Sequence, residues 1–223
     1  MKLENGQTIV FTGDSITDCG RGRPVGMRTE LGGGYVALVN SLLAAGCPEA
    51  RIRVLNTGIS GNRVTDLESR WQADVLDLKP DWLSVMIGIN DVWRQFDDGL
   101  NPDQVTIERY EKTYRGLLAK TRPMLKGLVL MTPYFIESNP EDPMRKQMDA
   151  YGKVVRRLST EFDAVCVDVQ RAFDRYLLCR PTQSLGGDRV HPTMAGHMII
   201  ACAFLSALGF DWRLANPQVE ATR

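Results

Sequence analysis

Apolar residues in this chain fall into two kinds of run. Five runs are short and rich in Val, Ile and Leu: residues 8–12, 52–56, 82–87, 128–132 and 164–167. Runs of this length without polar alternation predict strands buried on both faces. Between them lie longer stretches with helical spacing, at 35–45, 64–78, 110–121 and 144–162. The second of these places Val64, Leu67, Trp71, Val75 and Leu78 on one face. A last helix is expected over 194–208, with Gly209 as its stop. Strands alternating with helices predict an α/β fold: a central parallel sheet with helices on both faces, a three-layer α/β/α sandwich. In such folds ligands bind beyond the carboxyl ends of the strands.

Composition narrows the picture by exclusion. The 223 residues suit one domain spanning 1–223, with a sizeable core. Lysine plus arginine equals aspartate plus glutamate, at 27 each, so no basic excess marks a nucleic-acid or anionic-membrane partner. No apolar run approaches the roughly 18 residues of a membrane span. The opening Met-Lys-Leu-Glu-Asn-Gly has no apolar core of the kind a secretory signal needs, so a cytoplasmic location is expected. Five widely spaced cysteines without a C-x-x-C predict reduced thiols. Two histidines and no H-E-x-x-H make a metal site poorly supported. Residues 20–34 read as a Gly- and Arg-rich loop. Its G-x-G at Gly20 and Gly22 fails the dinucleotide pattern, because the third glycine would fall on Val25.

Four blocks can carry chemistry. The first strand runs into Gly13-Asp14-Ser15-Ile16-Thr17, which puts a serine at the strand end where an α/β fold builds its site. The alternative for Ser15 is a helix N-cap, weakened because Cys19-Gly20 leaves room for barely one turn. The G-x-S-x-G elbow is absent, which disfavours an ordinary α/β-hydrolase. In Asp188-Arg189-Val190-His191-Pro192 an aspartate stands three residues before a histidine. Its carboxylate can hold the imidazole Nδ1–H while Nε2 accepts a serine proton. Aspartate as cap and histidine as bystander is the alternative. Pro192 suits the first turn of the following helix, and His197 reads as a packed helix histidine. Oxyanion donors are offered by Gly61, after the second strand, and Asn90, after the third, although turn chemistry also uses Gly and Asn.

The ordered set Gly-Asp-Ser, Gly61, Gly-x-Asn-Asp and Asp-x-x-His resembles the SGNH (GDSL-type) hydrolase superfamily over nearly the whole chain. Ile16 stands where the type pattern has leucine. The resemblance implies a flavodoxin-like fold. It implies Ser15 as nucleophile, His191 as base and Asp188 as its orienter. The Ser15 backbone N–H, Gly61 and Asn90 would form the oxyanion hole. Residues 13–21, Gly-Ile-Asn-Asp-Val-Trp-Arg, Leu-Met-Thr-Pro-Tyr and Asp-Arg-Val-His-Pro further resemble intracellular bacterial acetyl-xylooligosaccharide (acetylxylan) esterases. That similarity implies a cofactor-free deacetylase of short xylan fragments that assembles as a homo-oligomer. Gly187 departs from those enzymes, which carry tryptophan there, and would widen the pocket.

Asp14, Trp93 and Tyr134 are the candidate substrate contacts, each just past a strand end. With Arg63 and Arg94 they make a mixture suited to a sugar with one apolar face. The aromatic segment 209–214 suits closure of the core or a subunit contact. Three other readings stay open: a lipid or thioester hydrolase of the same superfamily, a catalytically dead sugar-binding protein, and a phosphate-binding flavodoxin-like domain.

Overall fold

The computed structural model describes residues 1–26, 31–97 and 103–212. All five apolar runs form strands: β1 (Thr8–Gly13), β2 (Arg53–Asn56), β3 (Trp82–Met86), β4 (Gly127–Met131) and β5 (Val165–Val167). They make one parallel sheet in the order β2-β1-β3-β4-β5. Strands β3 and β4 are buried at every residue, which explains why they are apolar throughout except at Ser84, whose hydroxyl donates to the Met131 sulfur. The edge strand β5 leaves Cys166 exposed.

Register aligns Gly13, the last residue of β1, with Met86, the last of β3. A side chain at Gly13 would run into the Met86 carbonyl oxygen and Thr17, so only glycine lets the chain turn off the sheet here.

The expected helices are present as α2 (Tyr35–Gly46), α3 (Val64–Trp71), α5 (Ile107–Thr121), α6 (Pro143–Glu161) and α8 (Met194–Ala207), numbered in chain order with three that periodicity did not reveal. Those three are α1 (Ser15–Asp18), α4 (Ile89–Asp97) and α7 (Val169–Leu177). The stretch 64–78 is not one regular helix, since α3 passes into a π-helical turn at Gln72–Leu76. Helix α5 starts a turn earlier than expected because Thr106 caps it, accepting from the Arg109 N–H. Gly209 takes a left-handed conformation after α8, as a stop should. Pro192 lies before the α8 cap, Thr193, and not inside the first turn.

Helices α2, α7 and α8 pack together, as do α3 through α6, and the sheet lies between the two sets. This is the three-layer, flavodoxin-like arrangement. The chain changes direction across the β1/β3 pair, so the crevice at the carboxyl ends of these strands is the natural place for a site. Among the described residues no helix is long and apolar enough to cross a membrane. Part of the 20–34 loop, residues 27–30, lies outside the described residues, as do Arg213 and Leu214 of the aromatic tail.

Candidate active site

Ser15 opens α1, a single helical turn set directly on the end of β1. Asp14 caps it, its carboxylate accepting from the Ile16 N–H at 3.0 Å. The turn closes at Cys19, whose left-handed φ of 41° ends the helix at once. So Ser15 is not the cap but the first helical residue. Its backbone N–H belongs to the donors that an α-helix leaves without a partner of its own.

The Ser15 Oγ lies 2.9 Å from His191 Nε2, and His191 Nδ1 lies 2.6 Å from Asp188 Oδ2. Asp188 also accepts from the backbone N–H groups of Val190 (3.0 Å) and His191 (2.8 Å) through its other oxygen. Burial works against the Asp188 charge, but the hydrogen bonds from His191 and the two amides win and hold its carboxyl below the usual range. An ionised carboxylate only accepts, so Nδ1 carries the proton and Nε2 is left to accept from the serine hydroxyl. That chain can raise a serine to a nucleophile without a metal or cofactor. Among the described residues no group of three or more His, Cys, Asp or Glu side chains could hold a metal ion.

Gly61 stands in the loop after β2 and Asn90 in the first turn of α4, just after β3; β2 and β3 are the two strands that pair with β1. Gly61 has φ +81°, a backbone that favours glycine, and space where a side chain would stand. Asn90 is buried and donates one amide N–H to the Asn62 carbonyl at 3.0 Å. An amide has a second N–H to offer.

Several residues that build this geometry escaped sequence reasoning. Arg70 on α3 donates to the carbonyls of Gly13 (3.0 Å) and Thr57 (2.7 Å) and to Asn62 Oδ1 (2.7 Å). It thereby joins the end of β1 to the loop that carries Gly61. Asp18 accepts from both the N–H and the hydroxyl of Ser60. Asn56 donates to the Thr17 carbonyl at 2.6 Å. Asp91 is fully buried and accepts from the Val64 N–H, fixing the start of α3 against α4. Burial pushes its carboxyl up to about 7. Each is a polar residue at the end of a strand, in the first helical turns after one, or on α3; sequence spacing alone does not say which of many such residues are buried.

Two of the three expected substrate contacts are corrected. Tyr134 is fully buried, packs on Phe173 and donates its hydroxyl to the Val190 carbonyl at 3.0 Å. It supports the histidine loop from beneath. Asp14 is likewise fully buried, and burial pushes its carboxyl up to about 7. It faces the interior, where it caps α1. Trp93 is half-buried, with its ring edge-on to His191 at 5.8 Å between centroids. His197 is the packed histidine it was expected to be. Its Nδ1 accepts from the Tyr35 N–H at 3.2 Å and its Nε2 faces Cys19 Sγ at 3.5 Å. All five cysteines are free.

Residues 11–199 match the GDSL-like lipase/acylhydrolase family. An acetylxylan esterase from Geobacillus stearothermophilus is 52% identical over 215 residues, 95% of this chain and 98% of that one. Its crystal structure superposes with a TM-score of 0.93 over the same shares. Structures of catalytic mutants of that esterase replace a serine, an aspartate or a histidine by alanine. LAE5, an alpha/beta hydrolase enzyme from the metagenome of Lake Arreo, Spain, is also 52% identical, with a TM-score of 0.91 over 94% of this chain and 98% of that one.

Proposed function

Because the chain belongs to the GDSL-like lipase/acylhydrolase family, we propose that it is a serine esterase that removes acetyl groups from short acetylated xylo-oligosaccharides. The observation that carries this reading is the hydrogen-bonded line Ser15–His191–Asp188 at the carboxyl end of β1. Ser15 Oγ attacks the acetyl carbonyl while His191 Nε2 takes its proton. The Ser15 and Gly61 backbone N–H groups and the Asn90 amide face the oxygen on which charge develops. The C–O bond to the sugar then breaks, and His191 returns the proton to the departing sugar hydroxyl. Water, deprotonated by His191, attacks the acetyl-serine and releases acetate.

The substrate follows from the near-full-length similarity to an acetylxylan esterase. A homo-oligomer and a cytoplasmic location belong to the same reading. The first is supported by the resemblance and by the half-exposed Trp212 at the start of the aromatic tail, the second by five unpaired cysteines. Ser15→Ala should abolish both ester hydrolysis and labelling by a serine-directed phosphonate while leaving circular dichroism unchanged. Rates on matched acetyl, butyryl and octanoyl esters, followed by acetate release from acetylated xylobiose, test the substrate. Faster turnover of octanoyl than acetyl, or no acetate from the sugar, would move the chain to the lipid or thioester hydrolases of its family.

A further inference from the structure

Helix α4 carries Asn90, Trp93 and Phe96 three residues apart, a slanting stripe along one side of the helix. At 1.5 Å per residue the stripe runs about 9 Å from the oxyanion donor outward. Trp93 is the middle step, edge-on to the His191 ring. Phe96 is the outer step, and it is 44% exposed, unusual for a phenylalanine. Both rings line an open cavity of about 280 Å³, closed on its other sides by Asp142, Pro143, Met144 and Arg189.

The cavity has polar groups held in place. Arg189 lies over the Phe135 ring at 4.7 Å and pairs with Glu137 at 2.8 Å and Asp142 at 3.5 Å. Asp142 is itself fixed as the cap of α6, accepting from the Met144 and Arg145 N–H groups. Two aromatic faces with a fixed cation and a fixed carboxylate match a pyranose, which offers C–H faces and a rim of hydroxyls.

The side of the site on which this cavity lies decides which half of an ester it serves. Once Ser15 has attacked, the leaving oxygen must receive its proton from His191 Nε2, so the alcohol half sits on the histidine side. Trp93 touches His191, and Arg189 is two residues before it in the same loop. We propose that this cavity is the subsite for the leaving sugar: a pyranose ring stacks on Phe96 and Trp93, and its hydroxyls bond to Arg189 and Asp142. The assignment rests on the reading of the substrate as an acetylated oligosaccharide.

The test varies the alcohol at constant acetyl. For wild type, Phe96→Ala and Phe96→Tyr, kcat/KM is measured on acetylated xylobiose and on p-nitrophenyl acetate. In Phe96→Ala the ratio of the two should fall about tenfold, the scale of one lost aromatic contact. Phe96→Tyr should restore it, since the ring returns. An unchanged ratio in an active, folded Phe96→Ala would overturn the subsite and leave the esterase reading standing. With p-nitrophenyl butyrate added as a third substrate, a change in Phe96→Ala confined to the butyryl-against-acetyl preference would overturn it too, by making the cavity an acyl pocket. If the wild type cleaves p-nitrophenyl acetate but frees no acetate from the sugar, the substrate reading fails, and the subsite with it.

Discussion

Asn90 makes one amide hydrogen bond to the Asn62 carbonyl in the resting site, so its carbonyl-facing amide is already oriented before substrate arrives. A donor held this way acts chiefly on the charge that appears in the transition state. Asn90→Ala should therefore lower kcat by roughly 100- to 1000-fold with a much smaller change in KM. A loss confined to KM would make Asn90 a binding residue instead. The two histidines should separate as sharply. His191→Ala removes the base and should cost about 10⁴-fold or more, while His197→Asn should cost far less in rate. Equal losses in two folded variants would refute that division. What was legible in sequence at this scale is a juxtaposition: Ser15, His191 and Asp188, read from two motifs far apart in the chain, lie within hydrogen-bond distance of one another. Sequence reading failed at Tyr134 and Asp14 because a phenol or a carboxylate reads the same whether it faces substrate or interior. Burial decides between those, and here tertiary packing turned both inward.

At the scale of elements, the site is a junction of three strand ends held by one helix. Arg70 on α3 reaches the Gly13 and Thr57 carbonyls and Asn62, so a single guanidinium sets the loop of Gly61 against the turn of Ser15. Its planar fork meets several acceptors at once, which a lysine ammonium on a single stem does not reproduce. Arg70→Lys should lower kcat by about 10- to 100-fold through misplacement of these loops, with KM nearly unchanged. A fall in Tm with kcat intact would show that Arg70 holds the fold and not the site. The strands and the long helices were legible mainly through length and composition: short apolar runs for strands, longer apolar or striped stretches for helices. The short α1, α4 and α7 were not. Helix α1 has only four residues and is set by the Asp14 cap and the tight end of β1. Helices α4 and α7 have nine residues each and follow directly on the ends of β3 and β5, so in sequence they read as part of the loops there, and not for want of an apolar stripe.

Across the whole molecule, three buried titratable groups tie folding to pH with opposing signs. Asp14 and Asp91 have carboxyls pushed by burial from 3.8 up to about 7. In that window the folded chain binds protons that the unfolded chain has lost. Their contribution is complete below 3.8 and is lost as pH rises through 7. His197 is the reverse: burial, helped by the nearby His191 charge, lowers it from 6.5 to about 4, and its Nδ1 accepts from the Tyr35 N–H. Its contribution is complete above 6.5 and is lost as pH falls through 4. Between pH 5 and 6.5 the two effects work against each other, and conservative variants can separate them. Asp91→Asn keeps an acceptor for Val64 but binds no proton, so its Tm should rise relative to wild type as pH increases across that window. His197→Asn keeps an acceptor for Tyr35 and should drift the other way, its Tm falling relative to wild type with increasing pH. Each full proton difference is worth about 1.4 kcal/mol per pH unit, or a few degrees in a chain of this size. Thermal melts of the three proteins at pH 5, 5.75 and 6.5 measure it directly. Parallel curves would mean that these groups titrate alike in the folded and unfolded chains, and that the buried acids beneath the nucleophile and the histidine behind it do not set the acid response of this fold.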